Sequence, residues 1–171
     1  MRAKYIGNKA DRLIFNTKNA EASATIALGA PVIFNLSSTA NADDGLAVVN
    51  PSTAGAGAYQ LGSGVNCTYN LANNTMGEAI VYGFCASTLV KLGTRATSTD
   101  SWASIAAIAS GVLLVPDFTN NVWQTLANVA AQSSPGVILL DAVASLALVA
   151  SAAGVTKVVS TGMYRSFVRL I

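Results

Sequence analysis

Only 11% of this 171-residue chain is Asp, Glu, Lys or Arg, and it contains no histidine. Soluble domains average about 25% charged residues, so this surface has under half the usual means of staying in water and apart from other chains. A chain built this way needs much of its surface covered, either by a bilayer or by neighbours in an assembly. Those two environments frame the rest of the reading.

The length suits one ordinary domain. Apolar residues make up 52% of the chain and aromatics 7%. The apolar share is largely Ala and Val, with Ser, Thr, Asn and Gly filling most of the remainder. Small apolar and uncharged polar residues favour strands, turns and tight subunit contacts over a helical bundle with a charged exterior. The few charges are unevenly placed. Residues 1–21 hold five basic side chains (Arg2, Lys4, Lys9, Arg12, Lys18) against Asp11 and Glu21, and residues 157–171 add Lys157, Arg165 and Arg169. Between them Lys91 and Arg95 face six carboxylates. Basic ends on a mildly acidic body suit docking on an acidic protein surface.

A membrane reading rests on the apolar run 137–159, close to the ~20 residues a spanning helix needs. Asp141 inside it would cost about 2.5–3.5 kcal/mol at mid-bilayer, and Gly154, Thr156 and Lys157 dilute its far end. The run Ile105–Val115 is too short and stops at Pro116. Assembly is the stronger expectation.

Along the chain, residues 1–24 read as an extended basic arm with one apolar anchor, Leu13-Ile14-Phe15, and residues 25–171 as a β-rich body. Gly29-Ala30-Pro31 is a corner leading into a strand at Val32–Leu36, followed by a loop at 37–45. Leu46–Val49 is a short strand ended by Asn50-Pro51, and 51–66 reads as loop-rich. The strongest β signal is Ala79–Phe84 followed by Thr88–Leu92, with Gly83 marking a bulge or close backbone approach. Asp100 or Ser101 is a candidate N-cap for a helix at Trp102–Ala109. Val112–Val115 and Val122–Leu126 form a hairpin with a polar tip. Residues 137–153 are open between strand and helix. The last segment is a strand with Met163, Arg165, Phe167, Arg169 and Ile171 on one face and Tyr164, Ser166, Val168 and Leu170 on the other. Together these elements give a mainly β chain: a single sandwich or barrel-like domain with one or two short helices. No internal repeat of fixed period is visible.

Enzymatic chemistry finds little support. Without histidine there is no Ser-His-Asp or Cys-His arrangement and no ordinary neutral-pH acid–base group. Gly55-Ala-Gly57 and Gly62-Ser-Gly64 are not followed by a predicted helix, so no phosphate cradle is expected. Asp43-Asp44-Gly45 lacks the spaced oxygens of a calcium loop. Cys67 and Cys85 have no histidine to complete a zinc site. With no apolar leader at the N-terminus, they are expected as reduced, partly buried thiols in a chain made in a cytoplasm. A net charge of +2 falls well short of a nucleic-acid footprint. The expectation is no catalytic residue, cofactor, metal, small-molecule substrate, nucleic acid or membrane.

Five segments carry a resemblance: Leu28-Gly-Ala-Pro-Val-Ile-Phe34, Gly77-Glu-Ala-Ile-Val-Tyr-Gly83, Thr94-Arg-Ala-Thr97, Ser101-Trp-Ala-Ser-Ile-Ala-Ala107 and Phe167-Val-Arg-Leu-Ile171. In this texture the chain resembles the capsid decoration, or cement, proteins of tailed bacteriophages, particularly short-tailed ones. The resemblance implies a non-enzymatic homotrimer on the outer surface of the virion capsid, bound to the major capsid protein and clamping neighbouring capsomers against packaged DNA. The residues expected to meet the shell are Arg2, Lys4, Lys9, Arg12 and Lys18, with Leu13, Ile14 and Phe15 as the arm's anchor. Tyr164, Phe167 and Arg169 are expected at a subunit interface, or else within the chain's own core. The competing expectations are another self-assembling surface or fibre subunit, and a small membrane protein spanning at 137–159.

Overall fold

The computed structural model describes residues 3–4, 12–35, 46–54, 63–94, 107–125, 136–144 and 159–169. Their strands are β1 (Ala3–Lys4), β2 (Arg12–Asn19), β3 (Pro31–Phe34), β4 (Ala47–Val49), β5 (Ser63–Asn66), β6 (Met76–Thr94), β7 (Leu113–Asp117), β8 (Val122–Thr125), β9 (Gly136–Leu139) and β10 (Val159–Arg169). One four-residue helix, α1 (Pro51–Ala54), follows β4. The chain is mainly β, as its composition predicts.

β6 organises the molecule. The two β-rich pieces read from the sequence are one 19-residue strand, and it belongs to two closed circuits of hydrogen-bonded strands. The first runs β6–β2–β4–β3–β5 and back to β6; the second runs β6–β8–β7–β9–β10 and back to β6. At Tyr82 and Gly83 the circuits overlap. There β2 lies on one edge (Leu13 opposite Tyr82, Arg12 opposite Gly83) and β10 on the other (Arg169 opposite Tyr82, Val168 opposite Gly83). The hand-over is irregular: Val81 is an extra residue against β2, and Gly83 has φ +107°. Only glycine enters that region without strain; the bulge itself falls two residues before Gly83, at Val81, while Gly83 pairs in register with Arg12 and Val168.

The two circuits share one topology. In each, the first strand runs parallel to the third (β2–β4, β6–β8), and the third antiparallel to the second (β4–β3, β8–β7). The second then pairs antiparallel with the fourth (β3–β5, β7–β9), the fourth with the fifth (β5–β6, β9–β10), and the fifth with the first (β6–β2, β10–β6). The match continues outside the strands. The isolated bridge Ile26–Leu71 corresponds to Ile108–Val143. Three residues past each bridge stand Gly29 (φ +75°) and Gly111 (φ +83°), whose N–H groups bond the last residues of β5 and β9, Asn66 and Leu139. The molecule is a tandem of one unit with β6 serving as the fifth strand of the first copy and the first strand of the second. No fixed period betrays this, because residues 35–46 join β3 to β4 whereas only 118–121 join β7 to β8.

Each unit has its own core. Val32, Phe34, Val48, Ala79 and Val81 pack with Ile26 and Leu71 in the first. Val90, Leu114, Trp123, Val137, Leu139 and Val168 pack in the second, continuous with Ile14, Val65, Ile80 and Cys85 beside the shared strand. Gly29 ties the first unit to the second half of β6. Its carbonyl accepts Leu89 N–H at 2.9 Å, and a Cβ there would fall 2.4 Å from the Ser87 carbonyl oxygen.

Several sequence expectations are corrected. Residues 12–19 are not arm but a strand paired with β6 over Arg12–Lys18, so the boundary at 24 does not separate arm from body. Three adjacent apolar residues point to both faces of a strand, and in β2 both faces are covered: Ile14 is buried in one core while Leu13 and Phe15 pack on the other. Pro51–Ala54, read as loop, is helical. Proline suits a first helical turn, and the buried Glu21 carboxylate accepts Asn50 N–H and the Thr53 hydroxyl. The helix expected at 102–109 does not reach its end, where Ile108 bridges Val143; residues 101–106 lie outside the described residues. The run 137–159 is not one helix, because Gly136–Leu139 and Val159–Arg169 are strands at its two ends. Among the described residues no helix is long and apolar enough to cross a membrane. The 112–126 hairpin stands as expected, with Asp117 opposite Val122.

Candidate functional site

The overlap of the two units creates a surface that alternation along β6 and β10 dictates. Tyr82 and Phe84 are two apart on β6, and Phe167 and Arg169 two apart on β10; the register sets Phe167 opposite Phe84 and Arg169 opposite Tyr82. All four side chains therefore share one face. The Tyr82 and Phe167 rings meet edge-to-face at 5.4 Å. Arg12, from the first residue of β2, lays its guanidinium 5.3 Å from the centre of the Phe84 ring. Ile138 of β9 stands opposite Phe167 and extends the apolar strip. Tyr82 is 38% exposed, Phe84 and Phe167 are half-buried, and Arg12 and Arg169 are exposed.

Among the described residues neither Arg12 nor Arg169 has an ion-pair partner. Arg165, on the same face of β10, is different. Its Nε and Nη2 donate to Asp141 Oδ1 at 2.8 and 2.6 Å, and its backbone N–H donates to Oδ2. The guanidinium bond holds the Asp141 carboxyl below its ordinary range and raises Arg165 in turn. Two guanidiniums without an ion-pair partner among the described residues thus flank a strip of three aromatic rings. Chemically, a guanidinium can grip a carboxylate through two parallel bonds while aromatic rings supply apolar contact at low entropic cost.

The other residues singled out from the sequence fall elsewhere. Arg2 and Lys9 lie outside the described residues, and Lys4 is placed only as a backbone partner of Ile14. Ile14 is 5% exposed, and the Phe15 ring stands edge-to-face with Phe34 at 5.9 Å. Lys18 is half-buried in β2 opposite Met76. Tyr164 packs against the second core, its ring 2.6 Å from where a Cβ on Gly162 would sit. The structure therefore brings together Arg12, Phe167 and Arg169 and leaves Leu13–Phe15 and Tyr164 in internal packing. Tyr82 and Phe84 also belong to this face, and their signal in the sequence is the Tyr-Gly-Phe alternation inside the strongest β run.

Cys67 and Cys85 are both free. Burial, reinforced by the Glu78 charge, pushes the Cys67 thiol up to about 12. Among the described residues no three His, Cys, Asp or Glu side chains are grouped to hold a metal ion. No protein-family model matches this chain, and no curated protein matches it.

Proposed function

We propose that this chain is a non-enzymatic virion structural protein that binds the outside of an expanded bacteriophage capsid, as a homotrimer, and clamps neighbouring major capsid protein capsomers. The observation that carries the reading is the Arg12–Phe84–Tyr82–Phe167–Arg169 face. Among the described residues, Arg12 and Arg169 have no ion-pair partner and stand beside the exposed Tyr82 and the half-buried Phe84 and Phe167. Low overall charge and the sequence resemblance support the same reading.

The mechanism is linkage. A ligand that binds only the intact, expanded lattice stabilises it by RT ln(1 + [L]/Kd), about 2.7 kcal/mol per site at a hundredfold excess over Kd. Two closed circuits suit that task, because strands closed on themselves leave fewer edges to open under strain. With β2 inside the sheet, the grip falls on the body's face.

The test is co-sedimentation with expanded, undecorated shells of the major capsid protein from the same genome. Wild-type chain is expected to bind saturably, and Arg12→Glu with Arg169→Glu to lose binding while keeping its melting temperature. A folded wild-type chain that stays in the supernatant would sink the proposal.

A further inference from the structure

The tandem units carry the same exposed side chain at the same register. Apart from Met1 the chain has two methionines, Met76 and Met163. Met76 stands opposite Lys18 of β2, and Met163 opposite Leu89 of β6, each in the fifth strand against the first strand of its unit. In both units the residue four further on pairs with the fourth strand: Ile80 with Val65, Phe167 with Ile138. The two methionines are therefore equivalent positions, and they are 51% and 48% exposed.

The fold does not account for this match. Side chains half in water contribute little to stability, and their substitution usually changes it by under about 0.5 kcal/mol. The residues after each methionine have diverged: Gly77 against Tyr164, Glu78 against Arg165, Ala79 against Ser166. Buried positions have diverged too, with Val48 in the first unit where Trp123 fills the second, each opposite the same place in its hairpin (Phe34 and Pro116). Both internal methionines nonetheless fall on one matched surface position. Methionine is unbranched and polarisable, and adapts its shape to an apolar pocket.

We infer that Met76 and Met163 are twin anchors through which one chain grips two copies of the same protein subunit, each copy offering one apolar pocket. The inference rests on the capsid-decoration reading, in which the partner is a lattice of identical subunits. It adds that each chain is bivalent in itself, before any trimer forms, so that attachment to one subunit raises the effective concentration at the next.

Apparent affinity for expanded shells would be measured for Met76→Glu, Met163→Glu and the double variant, with circular dichroism melts to confirm folding. A Met76→Ala and Met163→Ala pair truncates the anchors without adding charge, and serves if glutamate disturbs either strand. Each single variant is expected to weaken binding by a similar factor, on the order of 10²-fold, because each removes one of the two contacts that every chain makes. The double variant is expected to lose saturable binding, and a double Met→Leu chain to keep it. If wild-type chain binds but one single variant is silent, the twin-anchor inference is overturned and the decoration reading survives. If wild-type chain does not bind, both fall together.

Discussion

Two glycines separate backbone strain from steric contact at single-residue resolution. Gly29 and Gly111 occupy equivalent corners with similar positive φ, yet a Cβ on Gly29 meets the Ser87 carbonyl at 2.4 Å whereas nothing lies within 4 Å of one on Gly111. Gly111→Ala is expected to cost roughly 1 kcal/mol from φ alone. Gly29→Ala should cost at least about 2–3 kcal/mol, because backbone must move; urea midpoints of the two variants test the difference. Asp117 carries the clearest pH dependence. Burial alone would raise its pKa, but hydrogen bonds from Lys91 Nζ at 2.7 Å, Asn120 and Thr119, with the Lys91 charge, outweigh it and bring it to about 2 from 3.8. A depressed carboxyl stabilises the fold above its unfolded pKa and loses that contribution as pH falls through the folded value. Wild type should therefore exceed Asp117→Asn by on the order of 2 kcal/mol at pH 7. The gap should close between about pH 4 and pH 2, and equal gaps at both ends would refute it. Single residues were only partly legible in the sequence. The roles of Asn66 and Asn73 show only in the structure: the Asn66 amide is buried and donates to the carbonyls of Ile26, Ala27 and Tyr69, and Asn73 donates to Ala22.

At the scale of elements, β6 couples the two units. Gly29 docks on it from the first unit, and Val90 meets Trp123 on it in the second. Trp123 is fully buried, and Trp123→Ala should cost about 3–5 kcal/mol. Through β6 that loss is expected to lower hydrogen-exchange protection of Val32 and Ile33 in the first unit as well as Val137 and Leu139 in the second. Loss confined to the second unit would show that the units open independently. The hairpin, the β6 run and the faces of β10 were legible because period-two alternation and turn residues fix them locally. The fate of Leu13–Phe15 was not, because whether an apolar cluster anchors on its own core or a neighbour depends on a strand more than sixty residues away. Both β2–β4 and β6–β8 pair in parallel, and such long-range pairings leave no local pattern.

For the whole molecule, the tandem arrangement sets what a small chain with few charges can present. Two units fused on a shared strand place Met76 and Met163 at matched, exposed positions, with the arginine–aromatic face at their junction. Nothing in the composition hinted at this, since loop lengths hide the repeat and the matched residues are scattered singly. The most direct measurement is a cryo-electron microscopy map of expanded shells saturated with the chain. Density is expected on the outer surface across capsomer seams, with Arg12, Tyr82, Phe84, Phe167 and Arg169 turned toward the shell. Bare shells in the presence of folded chain, or bound chain with that face turned to solvent, would contradict the account.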